Sequence, residues 1–229
     1  MRRSVRPSSR RDVNAGAAWD WSKFVGDPIE LKWNRKDLEN LQTVLASGQI
    51  KNRRAVVQAG GCLGVFPKYL ATEFDVIYTF EPSPILFPQM VLNAPEQNIV
   101  RFQAALGLVR GMVNPVCSLR GNDGKTVLHE GMTRVEADAG VIPTMRIDDL
   151  KLPHCDLIYL DIEGWEMFAL LGARETINRC WPVIVCEINR GCEYVGVTQD
   201  EVRATIRSLG YYHAGTMRSD YMFVPREAL

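Results

Sequence analysis

Short apolar segments alternate with helical patterns through most of this 229-residue chain. Five segments are predicted strands: 54–58, 75–80, 98–103, 156–160 and 182–187. Helices are predicted over 65–73, 84–93, 165–177 and 199–209. Because parallel strands need a crossover connection, this alternation predicts an α/β fold with a mostly parallel sheet.

The last two apolar segments are connected differently. The segments 211–214 and 221–224 are separated by a short polar connection, which is too brief for a crossover. They must therefore pair antiparallel, so we expect the sheet to end with an antiparallel C-terminal strand.

The length suits a single domain, and two segments differ in composition from the rest. The first eleven residues carry five arginines and no acid, so 1–16 is predicted to be a basic, disordered tail. A single domain is predicted over 17–229, with an aromatic-rich lead-in at 17–50. A β-rich insertion is predicted at 107–142, which holds six glycines and a Gly-Asn-Asp-Gly turn at 121–124.

Composition disfavours several classes of protein. No apolar run approaches the roughly 18 residues of a membrane helix, so no membrane span is expected. The six cysteines lack C-x-x-C spacing and the three histidines lie far apart, so no zinc site is expected. Scattered thiols favour a reducing compartment, and we predict a cytoplasmic protein. Outside the tail the chain is slightly acidic, so nucleic acid is not an expected partner. For the tail itself, two alternatives to a disordered segment are an arm that binds a polyanion and an organelle-targeting segment.

A glycine loop joins the first predicted strand to the next helix. The loop, Gly60-Gly61-Cys62-Leu63-Gly64, lets the backbone turn sharply and lets a ligand approach the main chain. Its spacing differs from the G-x-G-x-x-G of dinucleotide-binding folds. Glu81 follows the second strand, where a carboxylate can accept hydrogen bonds from ribose hydroxyls. Together these features predict a nucleoside cofactor.

Acidic residues follow the later strands. Asp161 and Glu163 are two residues apart, so in an extended chain their side chains point the same way. Glu166 falls in the first turn of a predicted helix, where the helix dipole favours a negative charge. A purely structural role is therefore an alternative to a catalytic role for this residue. Glu187 ends the fifth strand. With Glu81, these acids favour a cationic ligand over a dianionic one.

Several motifs resemble the FkbM family of S-adenosylmethionine-dependent methyltransferases. They occur in the family order from about residue 53 to 190, and the segment Asp161–Glu166 is the most specific of them. The others are Gly60–Gly64, Phe80-Glu81-Pro82-Ser83-Pro84, Asn93, Ala105-Leu106-Gly107, Arg146–Leu150 and Leu171-Gly172-Ala173.

The resemblance implies a Rossmann-like, seven-stranded class I methyltransferase sheet. It also implies an O-methyltransferase that uses S-adenosylmethionine, acting on a hydroxyl of a sugar or natural-product acceptor. Asp161, Glu163 and Glu166 are then the candidates for orienting the acceptor or acting as base. The candidate cofactor-binding residues are Gln58, Gly60, Gly61, Gly64, Glu81, Pro82 and Gln103, the last placed by its position after the third strand.

Three positions depart from the family pattern. Gln58, Cys62 and Leu160 stand where the family usually has an acid, an asparagine and a lysine. They motivate an alternative hypothesis, a binding or structural protein that keeps the fold with weakened catalysis. A nicotinamide-dependent oxidoreductase is a third hypothesis, which the glycine spacing disfavours. A divalent metal held by the acids is a lesser alternative to a metal-free site.

Overall fold

The computed structural model describes residues 19–120, 127–136 and 140–226. The predicted tail at 1–16 and the predicted turn at 121–124 lie outside these residues. Among the helices of the described ranges, none combines the length and the apolar character needed to cross a bilayer.

Strands and helices alternate along the described chain. The strands are β1 (Ala55–Ala59), β2 (Val76–Phe80), β3 (Ile99–Phe102), β4 (Ala105–Leu106), β5 (Gly111–Arg120), β6 (Val127–Glu136), β7 (Ile142–Met145), β8 (Leu157–Leu160), β9 (Val183–Glu187), β10 (Tyr211–Met217) and β11 (Asp220–Pro225). The α-helices are α1 (Pro28–Ala46), α2 (Val65–Glu73), α3 (Leu86–Asn93), α4 (Glu166–Leu171), α5 (Arg174–Cys180) and α6 (Gln199–Ser208). Short 3₁₀ segments are Trp21–Lys23, Ile147–Leu150 and Arg190–Val195.

In the described ranges, seven strands form the main sheet, in the order β10-β11-β9-β8-β1-β2-β3. Strand β11 runs antiparallel to β9 and to β10, and the pairs on the β3 side of β9 are parallel. This confirms the α/β, Rossmann-like prediction, including the antiparallel C-terminal strand. A second sheet has the order β4-β7-β5-β6, in which β5 and β6 pair as an antiparallel hairpin within 107–142.

Strand β1 lies at the centre of the main sheet, between β2 and β8. All five of its residues are buried, since its neighbours cover both edges and the helix layers cover both faces. Its last residue, Ala59, is in register with Phe80 of β2 and Leu160 of β8, so the three strands end at one level. The residues that follow the strands at this edge are Gly60, Glu81 and Asp161.

The single helix predicted over 165–177 is two helices in the structure, so this prediction was wrong. The buried carboxylate of Asp148 accepts the N–H groups of Glu175 at 3.0 Å and Thr176 at 2.8 Å, which starts α5 as a new helix. The carbonyl of Gly172 accepts the N–H of Asp148 at 3.0 Å. These long-range bonds interrupt the helix at a point where local periodicity shows no break.

The lead-in forms the long helix α1. It begins after Asp27, whose carboxylate accepts the N–H groups of Ile29 at 2.6 Å and Glu30 at 3.2 Å. Its buried side packs against α2 and changes from polar to apolar along the helix. The buried residues are Glu30, Asn34, Leu38, Leu41, Val44 and Leu45.

We expect Gly172→Ala to lower the free energy of unfolding by about 1–3 kcal/mol, because overpacking has a cost of that order. A Cβ atom at Gly172 would lie 2.0 Å from the carbonyl oxygen of Gly107. The measurement is urea unfolding. Gly111→Ala is the matched control, since a Cβ there meets nothing within 4 Å. Equal effects of the two changes would contradict the close packing of Gly172 against the Gly107 carbonyl.

Candidate active site

A cavity of about 310 Å³ opens where β1, β2 and β8 end. Ligands of open α/β sheets bind beyond the carboxyl ends of the strands, and this cavity lies at that edge of the sheet. Its polar lining consists of Glu30, Asn34, Asp37, Gly60, Cys62, Glu81, Asp161, Glu163 and Glu187. Its other lining residues include Trp33, Phe66, Phe80, Pro82, Leu86, Ala104, Ala105, Leu106 and Trp165.

The glycine loop turns tightly at the end of β1. The N–H groups of Gly60 and Gly61 both donate to the Phe80 carbonyl, at 3.1 and 3.0 Å. Gly60 has a φ of +84°, and a Cβ there would lie 1.9 Å from the carbonyl oxygen of Asp161. Glycine is therefore required at this position. A Cβ at Gly61 would collide with the side chain of Met90, so that glycine is needed for packing.

Gln58 and Gly64 hold the loop from behind. The Nε2 of Gln58 donates to the Gly60 carbonyl at 2.8 Å, and its Oε1 accepts the Thr79 hydroxyl at 2.5 Å. Gln58 is 1% exposed and does not line the cavity. Gly64 has a φ of +85° and precedes α2, where it packs against the backbone of α3. Both residues support the shape of the loop.

Glu81 is buried at the floor of the cavity. Its Oε2 accepts the N–H of Cys62 and its Oε1 accepts the N–H of Ser83, both at 2.8 Å. Burial raises the pKa of Glu81 to about 7, although both hydrogen bonds favour the charged form. Each carboxylate oxygen keeps accepting capacity beyond its backbone bond.

Two residues near the third strand have different positions. Pro82 lines the cavity directly after Glu81. Gln103 has an exposed side chain and is not a lining residue. Ala104, Ala105 and Leu106 line the cavity instead, because the chain turns inward after β3.

Three carboxylates converge at the β8 side of the cavity, whereas Glu81 lies at the β2 side. One oxygen each from Asp161, Glu163 and Glu187 lies within 4.8 Å of the other two, a spacing that could hold a metal ion. The Oε1 of Glu187 also accepts the Ser219 hydroxyl at 2.8 Å. Burial, and then the negative charges of Glu187 and Glu163, raise the pKa of Asp161 well above its usual range.

Glu166 lies beneath this cluster and does not line the cavity. Its Oε1 accepts the N–H groups of Ile162 at 3.0 Å and Gly164 at 3.3 Å, and the side chain is 1% exposed. Burial raises the pKa of Glu166 to about 7. Glu163 has a φ of +55°, an unusual conformation for a residue with a Cβ, so Glu166 fixes a strained turn.

Four lining residues come from α1, within the lead-in, and no motif in the sequence identifies them individually. Glu30, Asn34 and Asp37 lie one turn apart on one side of the helix, with Trp33 beside them. A signal for them exists in the sequence: the stripe at Leu38 and beyond continues toward the N-terminus with polar residues. Polar residues on an otherwise buried stripe indicate a lined cavity rather than a dry core.

The cavity is strongly acidic. Its lining in the described chain contains six carboxylate side chains and neither lysine nor arginine. A ligand that carries positive charge or hydrogen-bond donors complements this lining, whereas a pyrophosphate does not.

Residues 53–212 match the methyltransferase FkbM domain. This chain belongs to the FkbM methyltransferase family. The match covers more than half of the sequence, and it favours a methyltransferase over a nicotinamide-dependent oxidoreductase. No curated protein matches the chain.

Solved structures share the fold at low sequence identity. The magnesium protoporphyrin IX methyltransferase of Synechocystis, solved with S-adenosylhomocysteine, has 12% identity and a TM-score of 0.50, with coverage of 94% of this chain and 97% of that one. An FkbM methyltransferase of Methylobacillus flagellatus has 16% identity and a TM-score of 0.45, with coverage of 92% and 58%. This chain thus spans 58% of the length of that protein.

S-adenosylmethionine is the cofactor that the family assignment implies, and the cavity fits it. The molecule carries a sulfonium, an ammonium, one carboxylate and two ribose hydroxyls, so its net charge is positive and it is rich in hydrogen-bond donors. The cavity offers carboxylates and one unpaired buried acceptor, Oδ1 of Asn34. Leu160, which precedes the acids and departs from the family pattern, is fully buried in the core and is not a lining residue.

We expect Glu166→Gln to change the pH dependence of stability. Because the folded protein raises this pKa from 4.5 to about 7, the stabilising contribution of Glu166 is present below pH 4.5 and lost as the pH rises through 7. Glutamine resembles the protonated form at every pH. Between pH 5 and pH 8 the variant should therefore lose less stability than the natural protein, by on the order of 1–3 kcal/mol.

Urea unfolding at several pH values makes this measurement. The exposed Glu193→Gln change is the control, and it should leave the pH profile as it is. Parallel profiles for Glu166→Gln and the natural protein would show that the buried carboxyl does not titrate in this range.

Proposed function

We propose that this protein transfers a methyl group from S-adenosylmethionine to a hydroxyl of a sugar or glycosylated natural product. The observation that carries the proposal is the convergence of Asp161, Glu163 and Glu187 in a cavity that also contains Glu81. Carboxylates accept hydrogen bonds from hydroxyl groups, and several of them together suit a polyhydroxylated acceptor. The cytoplasmic location predicted from the cysteines is part of the proposal.

The cofactor is proposed to lie against the glycine loop and Glu81, which adjoin each other on one wall of the cavity. Gly60 gives it close access to the main chain, and the Glu81 carboxylate accepts hydrogen bonds from the ribose hydroxyls. Pro82 and Ala104 line the adjoining part of the cavity. Gln58, Gly61 and Gly64 maintain the loop. When bound, the cofactor supplies an electrophilic methyl group on a positively charged sulfur.

Asp161 is the proposed general base. Burial and the neighbouring carboxylates raise its pKa, which makes its carboxylate a stronger base than that of an ordinary aspartate. A carboxylate oxygen of Asp161 takes the proton of the acceptor hydroxyl, while Glu163 and Glu187 hold neighbouring hydroxyls. Glu166 positions this turn through its two backbone hydrogen bonds.

Two tryptophans support a sugar-like acceptor. Trp33 lines the cavity and is 49% exposed, and the side of its ring away from Lys36 offers an apolar surface. Trp165 lines the cavity with a buried Nε1–H that has no partner within the protein. That group is a donor for an acceptor hydroxyl oxygen.

We expect Glu81→Gln to weaken binding of S-adenosylhomocysteine at least tenfold, because an amide replaces one acceptor oxygen with a donor. Isothermal titration calorimetry gives the affinity. The control is Glu73→Gln, which removes a carboxylate paired with Arg53 away from the cavity. Unchanged affinity in Glu81→Gln would remove the ribose assignment.

We expect methyl transfer to at least one member of a panel of sugars and glycosylated compounds, with Asp161→Asn lowering kcat by about 10²–10⁴-fold. Incorporation of labelled methyl groups, followed by mass spectrometry of the product, locates the new bond. Glu193→Gln, at an exposed position, should keep the natural rate.

Three results would separate the alternatives. Methylation at nitrogen or carbon only would overturn the hydroxyl assignment. Cofactor binding with no transfer across the panel would favour the hypothesis of a binding protein with weakened catalysis. An equal loss of rate in Asp161→Asn and Glu193→Gln would remove Asp161 as the base.

A further inference from the structure

Asn34 of α1 carries a buried polar atom that the protein leaves unpaired. The side chain is 8% exposed and lines the cavity. Its Nδ2 donates to the carbonyl of Glu30 at 3.1 Å, which fixes the orientation of the amide. The Oδ1 is consequently turned away from that carbonyl, and it is buried without a hydrogen-bond partner.

An unpaired buried acceptor is costly, so its presence calls for an explanation. The protein could avoid the cost with an apolar residue, since Leu38 continues the same buried stripe one turn later. A carbonyl oxygen at the wall of a cavity is satisfied when a ligand donates to it. The unpaired Oδ1 therefore indicates a ligand with a hydrogen-bond donor at this position.

The surroundings of Asn34 place this donor near the glycine loop. The Nδ2 atom lies 3.6 Å from the Sγ of Cys62. The N–H of Cys62 donates to Glu81, the residue proposed to bind ribose. Asn34 thus lies beside the cofactor part of the cavity, across the loop from the Glu81 carboxylate.

Cys62 itself has a φ of +44°, a left-handed conformation in which asparagine is much more common than most residues. The loop conformation therefore also suits an asparagine at this position, and the carboxamide of Asn34 lies in contact with Cys62.

We propose that Oδ1 of Asn34 accepts a hydrogen bond from the bound cofactor, so that α1 is part of the cofactor site. The donor is the ammonium group or a ribose hydroxyl of the cofactor. Glu30 and Asp37 line the same wall, and their acidic character favours the ammonium. The residues of this wall precede the segment that matches the family, which begins at residue 53.

Calorimetry with two probes tests the proposal on the full chain. S-adenosylhomocysteine carries the ammonium and the ribose hydroxyls, whereas methylthioadenosine carries only the hydroxyls. We expect Asn34→Leu to weaken S-adenosylhomocysteine binding about tenfold. The melting temperature of the ligand-free variant should stay equal or rise, because the change removes an unpaired buried acceptor.

The two probes identify the donor. A loss confined to S-adenosylhomocysteine assigns the ammonium, and an equal loss with both probes assigns a donor of the adenosine moiety that they share. Gln42→Leu makes a similar change on α1 outside the cavity, and it should leave both affinities unchanged.

A rescue variant distinguishes the loss of a ligand contact from structural damage to the site. Asn34→Ala combined with Cys62→Asn places a carboxamide on the loop beside the same part of the cavity, and it should recover most of the affinity lost in Asn34→Ala. Unchanged affinity in Asn34→Leu would overturn the proposal, as would a lost affinity accompanied by a lower melting temperature and no rescue. These measurements read cofactor binding alone, so they stand whether or not a sugar is the acceptor.

Discussion

Parallel pairing of β1 with β2 and β8 is the constraint on which the rest of the site depends. Because Ala59 is in register with Phe80 and Leu160, the three strands end together. The Phe80 carbonyl then accepts two N–H groups of the glycine loop and closes the turn. A shift of one residue in either pairing would move Glu81 or Asp161 away from the cavity.

Much of this arrangement could be predicted from the sequence, because it follows from local patterns. The strand ends at Gly60, Glu81 and Asp161 are visible as apolar runs that stop at a glycine or an acid. The turn-specific glycines also follow from local chemistry. What sequence periodicity could not predict depends on contacts between distant segments, such as the Asp148 cap that divides α4 from α5.

The supporting roles of Gln58 and Glu166 could not be predicted from local patterns either. Each is polar and close to a motif, so sequence reasoning placed each in the site. Their orientation depends on backbone groups that become available only after folding: the carbonyl of Gly60 and the N–H groups of Ile162 and Gly164. The position of Gln103 depends in the same way on how the chain turns after β3.

Buried acidic residues in and directly behind the cavity lower the stability of the ligand-free protein when they are charged. Burial raises the pKa values of Glu81, Asp161 and Glu166, which means that their charged forms oppose folding. A cationic ligand removes part of this repulsion when it binds. Cofactor binding should therefore also stabilise the fold.

The wall that α1 contributes has a consequence for how relatives are compared. Residues 53–212 carry the family match, yet Glu30, Trp33, Asn34 and Asp37 lie outside it. Two proteins could agree at every aligned position of the family domain and still enclose differently shaped and differently charged cavities. Substrate preference in such proteins cannot be transferred from one to another on the aligned region alone, and a fragment cut at its boundaries would lack one side of its own binding site.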